Sequence, residues 1–252
     1  MKISHAQFSH AGSRQENQDA IGHVSREPYS CFVISDGVAG SPGGEVASQL
    51  AISTLLACAG QYAGQPEVTL RTAIDTANSA ILAEQRRDSA QDRMAATVAA
   101  LLIDRQQCIA QWAHLGDSRL YRFRRGLLAE RTRDHTLVQQ LADAGHAVHA
   151  DISPSLLHRA LGAQANAEPN IGEAVPIRDG DAFLLCTDGV WQQLPDRTIE
   201  HCLRIVHTVD DWLVLLAEEV RKHGRASAHM DNYSALAVWI GNPAQVTLAA
   251  IP

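Results

Sequence analysis

Aspartates at the ends of apolar runs constrain this chain more than any other feature. Val33-Ile34-Ser35 runs into Asp36-Gly37, Leu184-Leu185-Cys186-Thr187 into Asp188-Gly189, and Ala113-His114-Leu115-Gly116 into Asp117-Ser118. A fourth case is inverted: Asp231-Asn232 leads into the run from Tyr233 to Ile240. Short apolar runs bounded by Asp, Asn, Gly or Pro read as β-strands, so carboxylates sit at strand boundaries. There the backbone is held, a short Asp side chain has a defined direction, and a neighbouring Gly lets the chain turn sharply. Carboxylates that converge oppose one another's ionisation, and a divalent cation removes that conflict. With oxygen ligands only, and no Cys or His pair beside them, the suited ions are Mg2+ or Mn2+ rather than Zn2+. Each Asp-Gly is also the ordinary dipeptide of a tight turn. The residues alone therefore leave turns and a metal centre both open.

The rest of the chain supplies a frame for these ends. Strand-like runs cover 31–34, 97–102, 108–112, 183–186 and 235–240. Residues 44–59, 67–87 and 209–221 carry apolar side chains near a 3.6-residue period and read as helices. Residues 115–130 read as a hairpin, with Arg125-Gly126 as its turn. Strands grouped between paired helices suit an antiparallel sheet core flanked by helices better than strict βαβ alternation. No repeat or linker divides the 252 residues, so one domain spanning 1–252 is expected.

Composition removes several functions. Lys and Arg total 21 and Asp and Glu 28, a net charge of −7. That balance argues against binding nucleic acid or an anionic membrane. The five cysteines are scattered without a C-x-x-C pair, which argues against a disulfide framework or a thiolate zinc site. The longest apolar stretch, Met94 to Ile103, is interrupted by Thr97 and is shorter than the roughly 20 residues that span a bilayer. The first 20 residues lack the apolar centre of a signal peptide. A soluble, cytoplasmic protein is expected.

Taken in order, the motifs resemble the metal-dependent Ser/Thr protein phosphatases, the type 2C class, in their short bacterial form. The matching pieces begin with Arg14-Gln15-Glu16-Asn17-Gln18-Asp19-Ala20 and the segment from Asp36 to Ser48. Met94 to Thr97, Gly116 to Tyr121, Thr132 to Thr136 and Arg159 to Gly162 follow, then Leu184 to Val190 and Asp231-Asn232. The resemblance implies an α+β fold: a four-layer αββα sandwich of two antiparallel sheets flanked by paired helices. It implies two Mg2+ or Mn2+ ions, with Asp36 bridging both, the Gly37 carbonyl on one, and Asp188 and Asp231 on the other. Asp117 matches a residue of a third, weaker metal site. Such a binuclear centre activates a water near neutral pH and neutralises the phosphoryl oxygens under attack. Arg14 matches the phosphate-binding arginine, whose planar fork suits two phosphate oxygens. Asp19 would steady Arg14 or a metal-bound water, and Gln18 and Asn232 would support from behind.

This chain departs from that pattern in places. Val38 stands where many members carry a His proposed as general acid, Ser41 replaces another His, and Ala39 and Ala96 replace Gly and Thr. His158, just before Arg159, replaces a usual Thr and is a candidate for reaching the substrate's leaving oxygen. Residues 137–157, with His146, His149 and Asp151, correspond to a flap over the site. The implied substrates are proteins phosphorylated on Ser or Thr, including a cognate kinase or its targets, met by a monomer. Two alternatives stand beside this reading. One is a catalytically weak phosphoprotein-binding regulator of the same fold, and the other is a small-molecule phosphatase.

Overall fold

The computed structural model describes residues 1–38, 42–148, 152–224 and 229–241. Ala39, Ser41, His149 and Asp151 lie outside the described residues. Two antiparallel sheets form the centre. One orders β2 (Asp19–Arg26), β3 (Tyr29–Asp36), β4 (Val98–Asp104), β5 (Ile109–Leu115) and β8 (Asn170–Ile171), with β9 (Val175–Pro176) also paired to β5. The other orders β1 (Ile3–His10), β11 (Tyr233–Ile240), β10 (Asp181–Cys186), β6 (Arg119–Arg124) and β7 (Leu127–Arg131).

Strand alternation builds the layers. In β3, Phe32 and Ile34 enter a core between the sheets, where they join Leu101, Phe183, Leu185 and Leu236. Cys31 and Val33 face the other way, onto helices α1 (Gly44–Ala59) and α2 (Pro66–Arg87). On the opposite outer face, Leu184, Ala235 and Trp239 pack with Trp212 and Leu216 of α6 (Val209–Gly224) and Ile199 of α5 (Asp196–Arg204). Central strands buried on both faces read as continuous apolar runs, which is why they were legible. The expected four-layer sandwich is the fold observed.

The three expected helices match α1, α2 and α6 to within a few residues. The hairpin differs from expectation. Leu115 still belongs to β5, and residues 116–118 cross from one sheet to the other. The hairpin is β6–β7, turned by Arg125 and Gly126 at φ 53° and 71°. Strands β1 and β2 and helix α5 were not foreseen. Both strands lie at sheet edges and are only half-buried, so their sequences stay mixed with polar residues. A short helix α3 (Leu137–Asp143) starts the expected flap, and α4 (Asp188–Trp191) follows β10. Among the described residues, no helix is long and apolar enough to cross a membrane.

Candidate active site

Antiparallel pairing brings the aspartates to one end of the sandwich. Strand β3 ends at Asp36 and β2 begins at Asp19, directly opposite it in register. Strand β5 ends just before Asp117, β10 ends just before Asp188, and β11 begins just after Asp231. All of them except Asp19 line a cleft of 670 Å3 with Arg14, Gln18, Gly37 and Thr97. The cleft draws carboxylates from both sheets.

Its electrostatics are those of unpaired buried acids. Burial, then Asp19, Asp188 and Asp117, push the Asp36 carboxyl well above its ordinary range. Burial and then Asp188 raise Asp117 to about 8. Burial and then Asp231 and Asp19 raise Asp188 to about 7. Burial lifts Asp19 to about 6, although hydrogen bonds to its carboxylate pull the other way. Like charges directly across a strand pair are destabilising, and the metal-free pair avoids them by keeping a proton on Asp36 and a hydrogen bond between the two carboxyls.

Several side chains hold these acids in place. Thr187 donates to Asp19 Oδ2 at 2.9 Å, while Asp19 Oδ1 is buried without a partner. Thr97 Oγ1 accepts the Asp36 N–H at 3.1 Å and lies 2.6 Å from Ser118 Oγ. Gln192 donates to Asp188 at 2.8 Å and reaches Ser155, on the arm after α3, at 3.1 Å. The indole of Trp191 donates to the Asp117 carbonyl at 2.9 Å, and the Arg119 guanidinium stacks 3.5 Å over its ring. Thr97 was visible in the sequence as the polar interruption of an apolar run. Thr187, Gln192 and Trp191 carried no comparable signal.

Arg14 stands at the rim, and its fork is engaged. It donates to both carboxylate oxygens of Asp231, at 3.0 and 2.9 Å. The pair is exposed, with side chains 53% and 40% accessible. Such pairs contribute about 0–1 kcal/mol, so either partner can be drawn away by a stronger ligand. Asn232 is a clasp. Its Oδ1 accepts the Gln18 N–H at 2.8 Å, and its amide donates to the Ala11 and Glu16 carbonyls at 2.9 Å each. It thereby fixes the segment that carries Arg14. Two glycines allow close approach. A Cβ on Gly37 would stand 2.4 Å from the Gly44 backbone, and one on Gly189 2.0 Å from the Asn232 carbonyl.

His158 lies elsewhere. It does not line the carboxylate cleft but the neighbouring cavity. The reason is its backbone N–H, which donates to the His135 carbonyl, while its ring stacks edge-on against that of His135. Leu157, Leu156, Ser155 and Ser153, from the far part of the expected flap, do line the cleft.

Among the described residues, no three His, Cys, Asp or Glu side chains already form a cage for an ion. Asp231, Asp188 and Asp19 are each turned to the partners described above. The donor set nonetheless fits hard divalent cations: the oxygens are carboxylate, one buried oxygen is orphaned, and the local acids resist ionisation without a counter-charge. Two antiparallel sheets with an acidic cleft at their shared end, rimmed by an arginine, are the arrangement that the sequence resemblance to metal-dependent phosphatases implied. The comparisons agree. The family described as protein phosphatase 2C matches residues 6–231. The chain is 34% identical over 198 residues to the serine/threonine protein phosphatase PstP of Mycobacterium tuberculosis, covering 76% of this chain but only 37% of that relative. It is 27% identical over 232 residues to the serine/threonine phosphatase stp of Listeria monocytogenes, covering 87% of this chain and 91% of the relative. The PstP catalytic domain in complex with two manganese ions superposes with a TM-score of 0.81 at 31% identity, covering 95% of this chain and 99% of that one. The chain belongs to the protein phosphatase 2C family.

Proposed function

We propose that this protein is a Mg2+/Mn2+-dependent phosphatase that hydrolyses phosphoserine and phosphothreonine in proteins. The observation that carries the proposal is the convergence of Asp36, Asp117, Asp188 and Asp231 on one cleft with Arg14 at its rim. Asp36, the Gly37 carbonyl, Asp188 and Asp231 would hold two ions, and Asp117 a third. The ions supply an activated water and charge neutralisation at the phosphoryl group.

The chain's own residues do the rest. Arg14, released from Asp231, offers its fork to two phosphate oxygens. Asn232 keeps that arm seated, and Gln18 lines the cleft without adding charge. Thr187 orients the Asp19 carboxylate, as outer hydrogen bonds orient metal ligands elsewhere, and Thr97 holds the Asp36 backbone. The cysteines have no part in this chemistry, because none of them lines the cleft.

We infer that residues 1–252 act as one catalytic unit, because the cleft draws its residues from both sheets, and that this unit works as a monomer. The relatives named as Ser/Thr phosphatases support phosphoproteins as substrates, and we further propose that the protein opposes a bacterial Ser/Thr kinase, with that kinase or its targets as substrates. Purified protein should release phosphate from a phosphothreonine peptide with Mn2+ and lose that activity in EDTA. No hydrolysis with any divalent cation would overturn the proposal.

A further inference from the structure

Beside the carboxylate cleft lies a second cavity, of 750 Å3, and the two share Val38 and Leu157 as a common wall. Its character is opposite. Arg86, Arg93 and Arg159 line it against one acid, Asp92, in a protein whose net charge is −7. The arginines come from three separate segments: the last turn of α2, the loop before β4, and the stretch after the flap arm. Among the described residues, Arg86 and Arg93 make no ion pair or side-chain hydrogen bond. Arg159 is tied only loosely, 3.3 Å from the Glu168 carbonyl and 3.7 Å from its carboxylate.

Free guanidiniums in a concave site are placed to receive carboxylates or phosphates, with planar donor forks. Val38 and Leu157 belong to both linings, and an extended peptide advances about 3.3–3.6 Å per residue, so a few residues carry it from one cavity into the other. We propose that this cavity is a substrate subsite that takes an acidic residue, Glu, Asp or a second phosphoresidue, a few positions from the phosphoresidue being hydrolysed. The inference rests on the phosphatase reading above and adds a preference for acidic phosphopeptides. Arg86 and Arg93 act on binding, not on the chemical step, so they change KM and leave kcat.

The test uses two phosphothreonine peptides, one with glutamates placed three residues to either side and one with glutamines there. With Mn2+, the wild type should favour the acidic peptide through KM. R86A/R93A should raise KM for the acidic peptide about tenfold, the loss of two exposed charge-assisted contacts. Its kcat, and both constants for the glutamine peptide, should not move. The preference should also fade with added salt. Equal kcat/KM for both peptides in the wild type, or an unchanged preference in R86A/R93A, would overturn the subsite. Should neither peptide be hydrolysed, the phosphatase reading fails, and the subsite is judged by fluorescence anisotropy of the labelled peptides. Acid-selective binding lost in R86A/R93A supports it, and equal binding of both peptides refutes it.

Discussion

Stripping the protein of divalent cations should make its stability fall as the pH rises above neutrality, the reverse of ordinary acid-labile behaviour. The unfolded chain ionises its aspartates near 3.9. In the folded chain Asp117 holds its proton to about 8 and Asp188 to about 7, both mainly through burial. A folded state that binds protons more tightly loses stability as they leave the unfolded one. The loss begins above the unfolded value and ends at the folded one. At lower pH three histidines oppose it. His135, held near 3 by burial, and His114 and His5, also lowered by burial, take up protons less readily in the fold than in the unfolded chain. Stability from those three grows as the pH rises through 6.5 and levels off about one pH unit above it. Between pH 6.5 and 8 the aspartates outweigh the histidines, and at about 1.4 kcal/mol per retained proton per pH unit Asp117 and Asp188 remove about 2 kcal/mol. In a chain of this length that is a fall of about 4–8 °C in Tm. Manganese at about a hundred times its Kd restores about 2.7 kcal/mol per site and should abolish the fall. Scanning calorimetry from pH 6.5 to 8, in EDTA and in Mn2+, reads both effects. A Tm in EDTA that rises or stays flat across this window, or one that ignores Mn2+ at pH 8, would refute the electrostatic reading of the cleft.

Further outcomes follow from the same geometry. D36N and D188N should each abolish phosphopeptide hydrolysis yet melt higher than wild type in EDTA at pH 8, since each removes a charge the metal-free cleft resists; wild-type turnover in either would discredit the ligand assignment. T187V removes the Thr187 hydroxyl that donates to Asp19 Oδ2, and Mn2+ affinity measured by calorimetry should weaken about 10–100-fold; unchanged affinity would place Asp19 outside the centre. G189A puts a Cβ against the Asn232 carbonyl, so chemical denaturation should show a loss of about 1–3 kcal/mol, together with reduced activity; full stability would mean the clasp moves freely.

The pattern of aspartates at strand ends was legible because a strand and its terminus are local. That Asp36, Asp117, Asp188 and Asp231 share one end was not, since it depends on which strands run antiparallel and on residues 116–118 changing sheets. The resemblance to a known family supplied that arrangement. The engagement of Arg14 by Asp231 was also invisible, because the two lie 217 residues apart. His158 was misplaced for a similar reason. Its neighbour in sequence, Leu157, faces the cleft, but a backbone bond to His135 turns His158 into the next cavity. Edge strands escaped notice because solvent on one side permits polar residues there.

The position of β11 has a consequence for how the site comes into being. This strand, the last one described, lies between β1 and β10. Until residues 233–240 dock, β1 has no neighbour in its sheet, and the Asn232 clasp on the arm of Arg14 cannot close. Contacts of such sequence separation are slow to form. A growing chain therefore assembles its flanking layers first and acquires its anion-binding rim last, so it has no competent cleft until nearly all the described residues have emerged.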